Sequence, residues 1–101
     1  AGSSSMLEHK GAVLKLLDAS LIWYGQRIAL TKNELKILQM LMEHKEKIVS
    51  REELMEKLWE SDAYVDENTL SVNVNRLRKK LSSVGLDDFI LTKKGIGYRI
   101  G

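Results

Sequence analysis

The side chains best suited to binding chemistry lie between Asp66 and Leu81. Apolar residues recur through this stretch at intervals of three and four, which predicts a helix with one buried stripe. That stripe consists of Leu70, Val74, Leu77 and Leu81. The opposite side of the predicted helix carries Asn68, Val72, Asn75, Arg76 and Lys79. Between the two sides lie Thr69, Asn73, Arg78 and Lys80.

The free side of this helix has an unusual charge pattern. No acidic residue lies between Asn68 and Leu81, whereas a solvated helix face usually mixes both signs and forms ion pairs four residues apart. Amides, a hydroxyl, a methyl-bearing side chain and cations are the groups that read base edges and bind phosphates. The pattern therefore indicates nucleic-acid binding, although the helix taken alone fits a basic surface helix without a partner equally well.

Basic charge is concentrated in the C-terminal part of the chain. The 101 residues carry a formal net charge of +2. Residues 1–65 contain nine basic and ten acidic residues, whereas residues 66–101 contain seven basic and four acidic residues. Three of those four acids, Asp66, Asp87 and Asp88, lie outside the body of the helix. This asymmetry indicates a polyanionic partner more strongly than the total charge does.

The composition is that of one globular domain, which we expect at residues 6–101. Apolar residues make up 44% and charged residues 30% of the chain, which is ordinary for a protein with one modest core. Residues 1–5 are expected to be an expression remnant or the end of a linker. The sequence predicts no signal peptide and no membrane helix, which would need about 18 apolar residues in a row. The lack of cysteine is consistent with a cytoplasmic location.

The segments before the helix predict a sheet followed by two more helices. Residues 6–30 are apolar segments broken by turn residues, with a tight turn at 24–26, and predict an antiparallel meander. Capping boxes at 31–34 and 50–53 predict the starts of two helices. The first helix is expected to bury Leu35, Leu38, Leu41 and Met42. Core positions are also predicted for Met55, Trp59, Trp23 and Tyr98.

The third helix and the segment after it complete the predicted α+β fold, a winged helix-turn-helix. Asp66 is predicted to cap the helix and Gly85 to follow its end, so that the three-helix core spans 31–84. Residues 89–100 are predicted to form a β-hairpin whose tip contains two lysines and two glycines, Gly95 and Gly97, both free to take positive φ. A basic hairpin directly after a helix-turn-helix is typical of a wing.

Four sequence blocks resemble the winged-helix effector domain of OmpR/PhoB-type bacterial response regulators. They are LTKNELKIL at 30–38, IVSREELMEKLW at 48–59, DENTLSVNVNRLRKKL at 66–81 and TKKGIGYRI at 92–100. The blocks occur in the family's order and spacing and cover about 70 of the 101 residues. The third block, together with GLDDFILTKKG, is similar to the subgroup that responds to cell-envelope stress and antimicrobial peptides.

The resemblance implies double-stranded DNA binding, with a recognition helix at about 67–84 in the major groove and a wing at 92–97 in the minor groove. The expected base-reading residues are Asn68, Val72, Asn75 and Arg76. The expected contacts to the DNA backbone are Thr69, Asn73, Arg78, Lys79 and Lys80. The expected wing contacts are Thr92, Lys93 and Lys94. Many family members have His where this chain has Asn73 and Arg where it has Asn75, so the operator sequence does not carry over.

The resemblance also implies partners beyond DNA. Two copies are expected to bind head to tail on a direct repeat, and the free domain is expected to be a monomer or a weak dimer. Loop 60–66 corresponds to the segment that contacts RNA polymerase in some members, and the longer proteins of the family carry a receiver domain that answers a sensor kinase. The alternative is a winged helix that binds only proteins, which salt-dependent retention on DNA would distinguish.

Catalysis and metal binding are not predicted. His9 and His44 are isolated histidines without further ligands at metal-binding spacing. The sequence contains no nucleophile–base constellation and no phosphate-binding glycine loop. No cofactor and no enzymatic activity are therefore expected.

Overall fold

A computed structural model of the chain describes residues 6–45, 47–59, 66–87 and 89–100. Within these ranges the strands are β1 (Met6–His9), β2 (Ala12–Lys15), β3 (Ser20–Trp23), β4 (Gln26–Ala29), β5 (Val49–Ser50), β6 (Ile90–Lys93) and β7 (Gly97–Ile100). The helices are α1 (Lys32–Glu43), α2 (Arg51–Trp59) and α3 (Glu67–Ser83). This order confirms the predicted α+β winged helix. None of the described helices is long and apolar enough to cross a membrane.

The N-terminal sheet is the predicted antiparallel meander, with strand order β1-β2-β3-β4. Two of its turns place consecutive residues in the left-handed region, Lys10 with Gly11 and Tyr24 with Gly25. Two such residues in a row match the twist of the adjoining strands and make tight hairpins. One side of the sheet packs on the helices through Ala12, Leu14, Leu21 and Ile28.

The capping motifs start α1 and α2 where the sequence predicts. The amide of Thr31 donates to Glu34 Oε1 at 2.8 Å, and the amide of Glu34 donates to Thr31 Oγ1 at 3.2 Å. Both halves of this capping box are therefore formed. At α2, the amide of Glu53 donates to Ser50 Oγ at 3.1 Å. These bonds satisfy amides that have no partner inside their own helix.

The predicted core residues are buried or, like Leu35, Met55 and Trp23, partly buried and packed against the core, with one exception. In α1, Ile37 is fully buried, whereas the predicted Leu35 is half-buried. In α2, Leu54 and Leu58 are fully buried, but Trp59 is 47% exposed, so the prediction that it fills the core is wrong. The reason is geometric: Trp59 follows Leu58 by one residue, which rotates it about 100° around the helix from the buried side.

The wing belongs to a three-stranded sheet with strand order β5-β7-β6. Strand β5, between α1 and α2, pairs with β7 through Val49↔Tyr98 and Ser50↔Gly97. Gly95 has the predicted positive φ of 78°, but Gly97 lies inside β7 and does not. A Cβ on Gly97 would lie 2.0 Å from the carbonyl oxygen of Val49. Glycine is needed there because β5 passes close to the backbone, not because the chain turns.

Candidate nucleic-acid interface

Helix α3 is held at its start by Asp66. Its carboxylate Oδ1 accepts a hydrogen bond from the amide of Thr69 at 2.8 Å, as the sequence predicts for an N-cap. The amide of Thr69, and after it the Thr69 hydroxyl, stabilise the charged carboxylate and lower the pKa of Asp66. A negative charge at this end also interacts favourably with the helix dipole. The cap therefore determines where the candidate recognition helix begins.

The end of α3 is closed by Gly85 and by contact with the N-terminal sheet. Gly85 has a φ of 99°, and the amide of Leu86 donates to the carbonyl of Leu81 at 2.9 Å. The ring of Trp23 lies within 3.1 Å of the position that a Cβ on Gly85 would occupy. Trp23 is half-buried and packs against the core. Glycine at 85 thus allows both the helix ending and the approach of β3.

The predicted orientation of α3 is confirmed by its burial pattern. The four residues of the apolar stripe are fully buried: Leu70, Val74, Leu77 and Leu81. The opposite side is exposed and contains Asn68, Asn75, Arg76 and Lys79, with Val72 39% exposed. The structure therefore brings all four predicted base-reading residues to one open side of the helix.

Charge changes along this open side. The first half of α3 presents the neutral polar residues Asn68 and Asn75 together with Val72, whereas Arg76, Arg78 and Lys79 follow in the second half. The amides, which can bond to bases, are therefore followed by the cations, which can bind phosphates or, in the case of a planar guanidinium such as that of Arg76, pair with guanine. Arg51 of α2 lies at the start of the helix, with Nη1 3.9 Å from Glu67 Oε2. Sequence reasoning missed this pair because no local spacing connects the two residues.

A hydrogen bond joins α3 to the wing. Arg78 Nη1 donates to Thr92 Oγ1 at 2.7 Å, and both side chains are exposed. A residue predicted to contact the DNA backbone and a residue predicted to contact DNA from the wing are thus adjacent. Beside them an open groove of about 380 Å³ runs between the second half of α3 and the start of β6. Arg78 and Lys79 line this groove together with Asp87.

The other predicted backbone contacts on α3 differ in their surroundings. Asn73 is half-buried, and its Nδ2 donates to the carbonyl of Thr69 at 2.8 Å. Lys80 points away from the open side: its Nζ lies 2.6 Å from Glu34 Oε1 and 3.1 Å from the carbonyl oxygen of Ala29. Lys80, predicted to contact phosphate, is thus engaged inside the domain in this structure. The helical period alone could not reveal which intermediate position faces α1.

The tip of the wing presents a cation and an apolar residue. Residues 94–96 connect β6 to β7, and the amide of Ile96 donates to the carbonyl of Lys93 at 2.9 Å. Lys94 and Thr92 are exposed and Lys93 is half-buried. Ile96, which was not predicted as a site residue, is 56% exposed at the tip. Of loop 60–66, predicted to contact RNA polymerase, only Asp66 lies within the described residues.

Within the described ranges, no three His, Cys, Asp or Glu side chains are grouped so that they could hold a metal ion. On α3 and the wing, the exposed groups that could bind a partner are hydrogen-bond donors, amide oxygens and cations. Their arrangement suits a polyanion with a groove wide enough for a helix, which is the geometry of duplex DNA.

Comparison with known proteins gives two informative sequence matches. The family model described as "Transcriptional regulatory protein, C terminal" matches residues 25–100. The response regulator protein GraR of Staphylococcus aureus (strain MRSA252) is 48% identical over 92 residues, which are 91% of this chain and 41% of GraR. The chain therefore spans less than half the length of this curated relative.

Two solved structures extend the comparison. The C-terminal domain of the nisin resistance regulator NsrR, described as a lantibiotic response regulator, has a TM-score of 0.83 at 41% identity and covers 93% of this chain and 94% of that one. The DNA-binding domain of the response regulator AdeR, solved in complex with an intercistronic region, has a TM-score of 0.80 at 27% identity. That match covers 92% of this chain and 95% of the AdeR chain.

Proposed function

Because the chain belongs to the family of transcriptional regulatory protein C-terminal domains, the winged-helix DNA-binding domains of OmpR/PhoB-type response regulators, we propose that it recognises one duplex DNA sequence and thereby controls transcription. Helix α3 enters the major groove and the wing follows the adjacent minor groove. The observation that carries this proposal is the open side of α3, which has exposed amides and cations with no acid between Asn68 and Leu81. The apolar stripe holds the opposite side in the core.

Base reading is assigned to the exposed residues of α3. Arg76 can bond bidentately to the O6 and N7 atoms of guanine, and an amide such as Asn68 or Asn75 can bond to N6 and N7 of adenine. Val72 presents methyl groups that suit the methyl of thymine. These four side chains determine which operator sequence is bound. Because this chain has Asn75 where many family members have arginine, the operator sequence of those members does not carry over to it.

Contacts to the DNA backbone are assigned to residues around this group. Arg78 and Thr92, already joined at 2.7 Å, are placed to bind phosphate from α3 and the wing, with Lys79 and Thr69 beside them. Asn73 keeps one N–H for a phosphate, since its amide nitrogen carries two. Lys93 and Lys94 supply charge at the minor groove, whose negative potential attracts cations.

The proposal extends to assembly and regulation, for which the resemblance to the family is the support. Two copies bind head to tail on a direct repeat, with the N-terminal sheet of one copy facing the hairpin side of the next. Such a contact is heterologous, because it buries different patches on the two copies. In a longer cytoplasmic protein the domain follows a receiver addressed by a sensor kinase, and loop 60–66 approaches RNA polymerase. NsrR is described as a lantibiotic response regulator, which supports cell-envelope stress or an antimicrobial peptide as the signal.

Selection of binding sites from a random duplex pool tests the proposed function. We expect one enriched motif with repeated half-sites. The affinity should fall steeply with salt, because the basic side chains of the protein release counterions from the DNA phosphates. The matched control is the Arg76→Ala variant, which should fail to enrich the same motif. A pool without an enriched motif, or a chain that is not retained on DNA at low salt, would contradict the proposal and favour a protein-binding winged helix.

A further inference from the structure

A buried carboxylate and one lysine connect the recognition helix to the rest of the domain. Glu34 lies in the first turn of α1, and its side chain is only 1% exposed. Its Oε1 accepts from the amide of Thr31 at 2.8 Å and from Lys80 Nζ at 2.6 Å. Lys80 also donates to the carbonyl of Ala29, the last residue of β4, at 3.1 Å. One ammonium group therefore joins α3 to both α1 and the N-terminal sheet.

Neighbouring lysines on α3 have opposite surroundings. Lys79 is exposed on the open side, whereas Lys80 is engaged with Glu34. The other carboxylate oxygen, Glu34 Oε2, is buried without a hydrogen-bond partner among the described residues. Lys80 is thus the cation that compensates this carboxylate. A buried charge that loses its partner is strongly unfavourable, so loss of Lys80 alone would leave the Glu34 carboxylate uncompensated.

We propose that Glu34 and Lys80 are positioning residues for DNA recognition: their ion pair sets the rotation and the axial position of α3, so that Arg76 and its neighbours meet the base edges. Apolar contacts of the buried stripe are not directional, and they tolerate small shifts of the helix. The short charge-assisted bond from Lys80 to Glu34 belongs to the strong class, and together with the bond to the Ala29 carbonyl it holds one ammonium group at a fixed place between α1 and β4. This inference rests on the proposed function.

The location of the pair explains why it would affect recognition. Lys80 lies four residues after Arg76, about 6 Å further along the helix axis. Base-reading hydrogen bonds tolerate donor–acceptor distances within only about 0.5 Å, so a small rotation of α3 breaks bidentate geometry. Contacts to phosphates depend mainly on charge and survive such a shift. Loss of the pair should therefore reduce specific binding more than non-specific binding.

The test compares four variants on two duplexes: a motif selected with the parent chain, and a scrambled duplex of the same length. The main variant is Glu34→Gln with Lys80→Met, which leaves no unpaired buried charge and keeps an oxygen for the Thr31 cap. Lys80→Arg is the rescue variant, Lys79→Met is the matched control, and Glu34→Gln with Lys80→Gln, which also leaves no unpaired buried charge, replaces the main variant should that not fold. Dissociation constants are measured across a salt series, and circular dichroism monitors folding.

The main variant should lose about tenfold in affinity for the selected motif, the equivalent of one weakened bidentate contact. Its affinity for scrambled DNA and its salt slope should stay at the parent values, and Lys80→Arg should restore specific binding. Lys79→Met should instead weaken both complexes equally and reduce the salt slope by about one.

Two results would overturn the inference. Equal weakening on both duplexes, with a salt slope reduced by about one, would make Lys80 a phosphate contact like Lys79. Unchanged affinity for the selected motif in a folded main variant would show that the Glu34–Lys80 ion pair does not position α3. In either case the parent chain still prefers its motif, whereas a parent without any preference would contradict the proposed function itself.

Discussion

Arg76 is exposed on α3, while the residue that follows it, Leu77, is fully buried. Substitution of Arg76 therefore changes the open side without opening a cavity in the core. We expect Arg76→Ala to keep the parent's melting temperature and to lose about 1–3 kcal/mol of discrimination at one base pair. Titration of the selected duplex and of single-base variants measures this loss. A folded variant with unchanged base preference would remove Arg76 from the base-reading residues.

Lys94 should contribute charge without sequence information. It is exposed next to Gly95 at the tip of the wing, where backbone contacts depend little on the base sequence. Lys94→Ala should weaken binding to selected and scrambled duplexes similarly and reduce the salt slope by about one. A salt series on both duplexes measures this. If only the selected duplex were affected, Lys94 would read groove shape or bases instead.

At the scale of elements, the N-cap of α3 makes the stability of the recognition helix depend on pH. The folded-state pKa of Asp66 is lowered below its ordinary value of 3.8 by the bonds from Thr69. The stabilisation is therefore complete above the unfolded-state pKa and is lost as pH falls through the folded-state pKa. The stability difference between the parent and Asp66→Asn should stay constant above about pH 5 and shrink below the ordinary pKa. Urea unfolding of both proteins at several pH values measures this stability difference. A difference that does not change with pH would contradict a contribution from the charge of Asp66.

The wing should depend on Gly97 as a packed element. A Cβ there would meet the Val49 carbonyl oxygen at 2.0 Å, so Gly97→Ala must push β5 and β7 apart. We expect a loss of about 1–3 kcal/mol in unfolding free energy, typical of overpacking, and weaker DNA binding because the wing is displaced. Gly25→Ala is the control: nothing lies within 4 Å of its Cβ, so only backbone strain of about 1–2 kcal/mol is expected. If Gly97→Ala bound DNA as well as the parent does, the pairing of β5 with β7 would not determine the position of the wing.

At the scale of the whole molecule, the domain should pair on DNA rather than in solution. The sequence has no sustained heptad pattern that would enforce a coiled-coil dimer, and light scattering of the free chain should give a monomer or a weak dimer. Recognition helices on one side of the duplex require half-sites about 10–10.5 bp apart. Inserting about 5 bp between the repeats should remove cooperativity and leave single-site affinity intact. Equal cooperativity on an inverted repeat would contradict the head-to-tail arrangement.

The sequence by itself determined the elements, because the interactions that start, orient and end them are local. The capping box at Thr31 and Glu34, the cap at Asp66 and the glycine after α3 each act within a few residues. The alternation of buried and exposed positions on α3 follows from the helical period, so its apolar stripe and open side could be predicted. The resemblance then indicated the function of that open side.

Tertiary structure alone decided which residues that lie far apart in the chain contact each other. Lys80 and Glu34 are 46 residues apart, and Lys79 and Lys80 have the same chemistry, so no local pattern could separate a free cation from one bound inside the domain. The requirement for glycine at 97 is likewise not visible in the sequence, because the carbonyl oxygen of Val49, on another strand, occupies the space that a Cβ would need. In each case the physical reason is packing between distant segments, which sequence spacing does not encode.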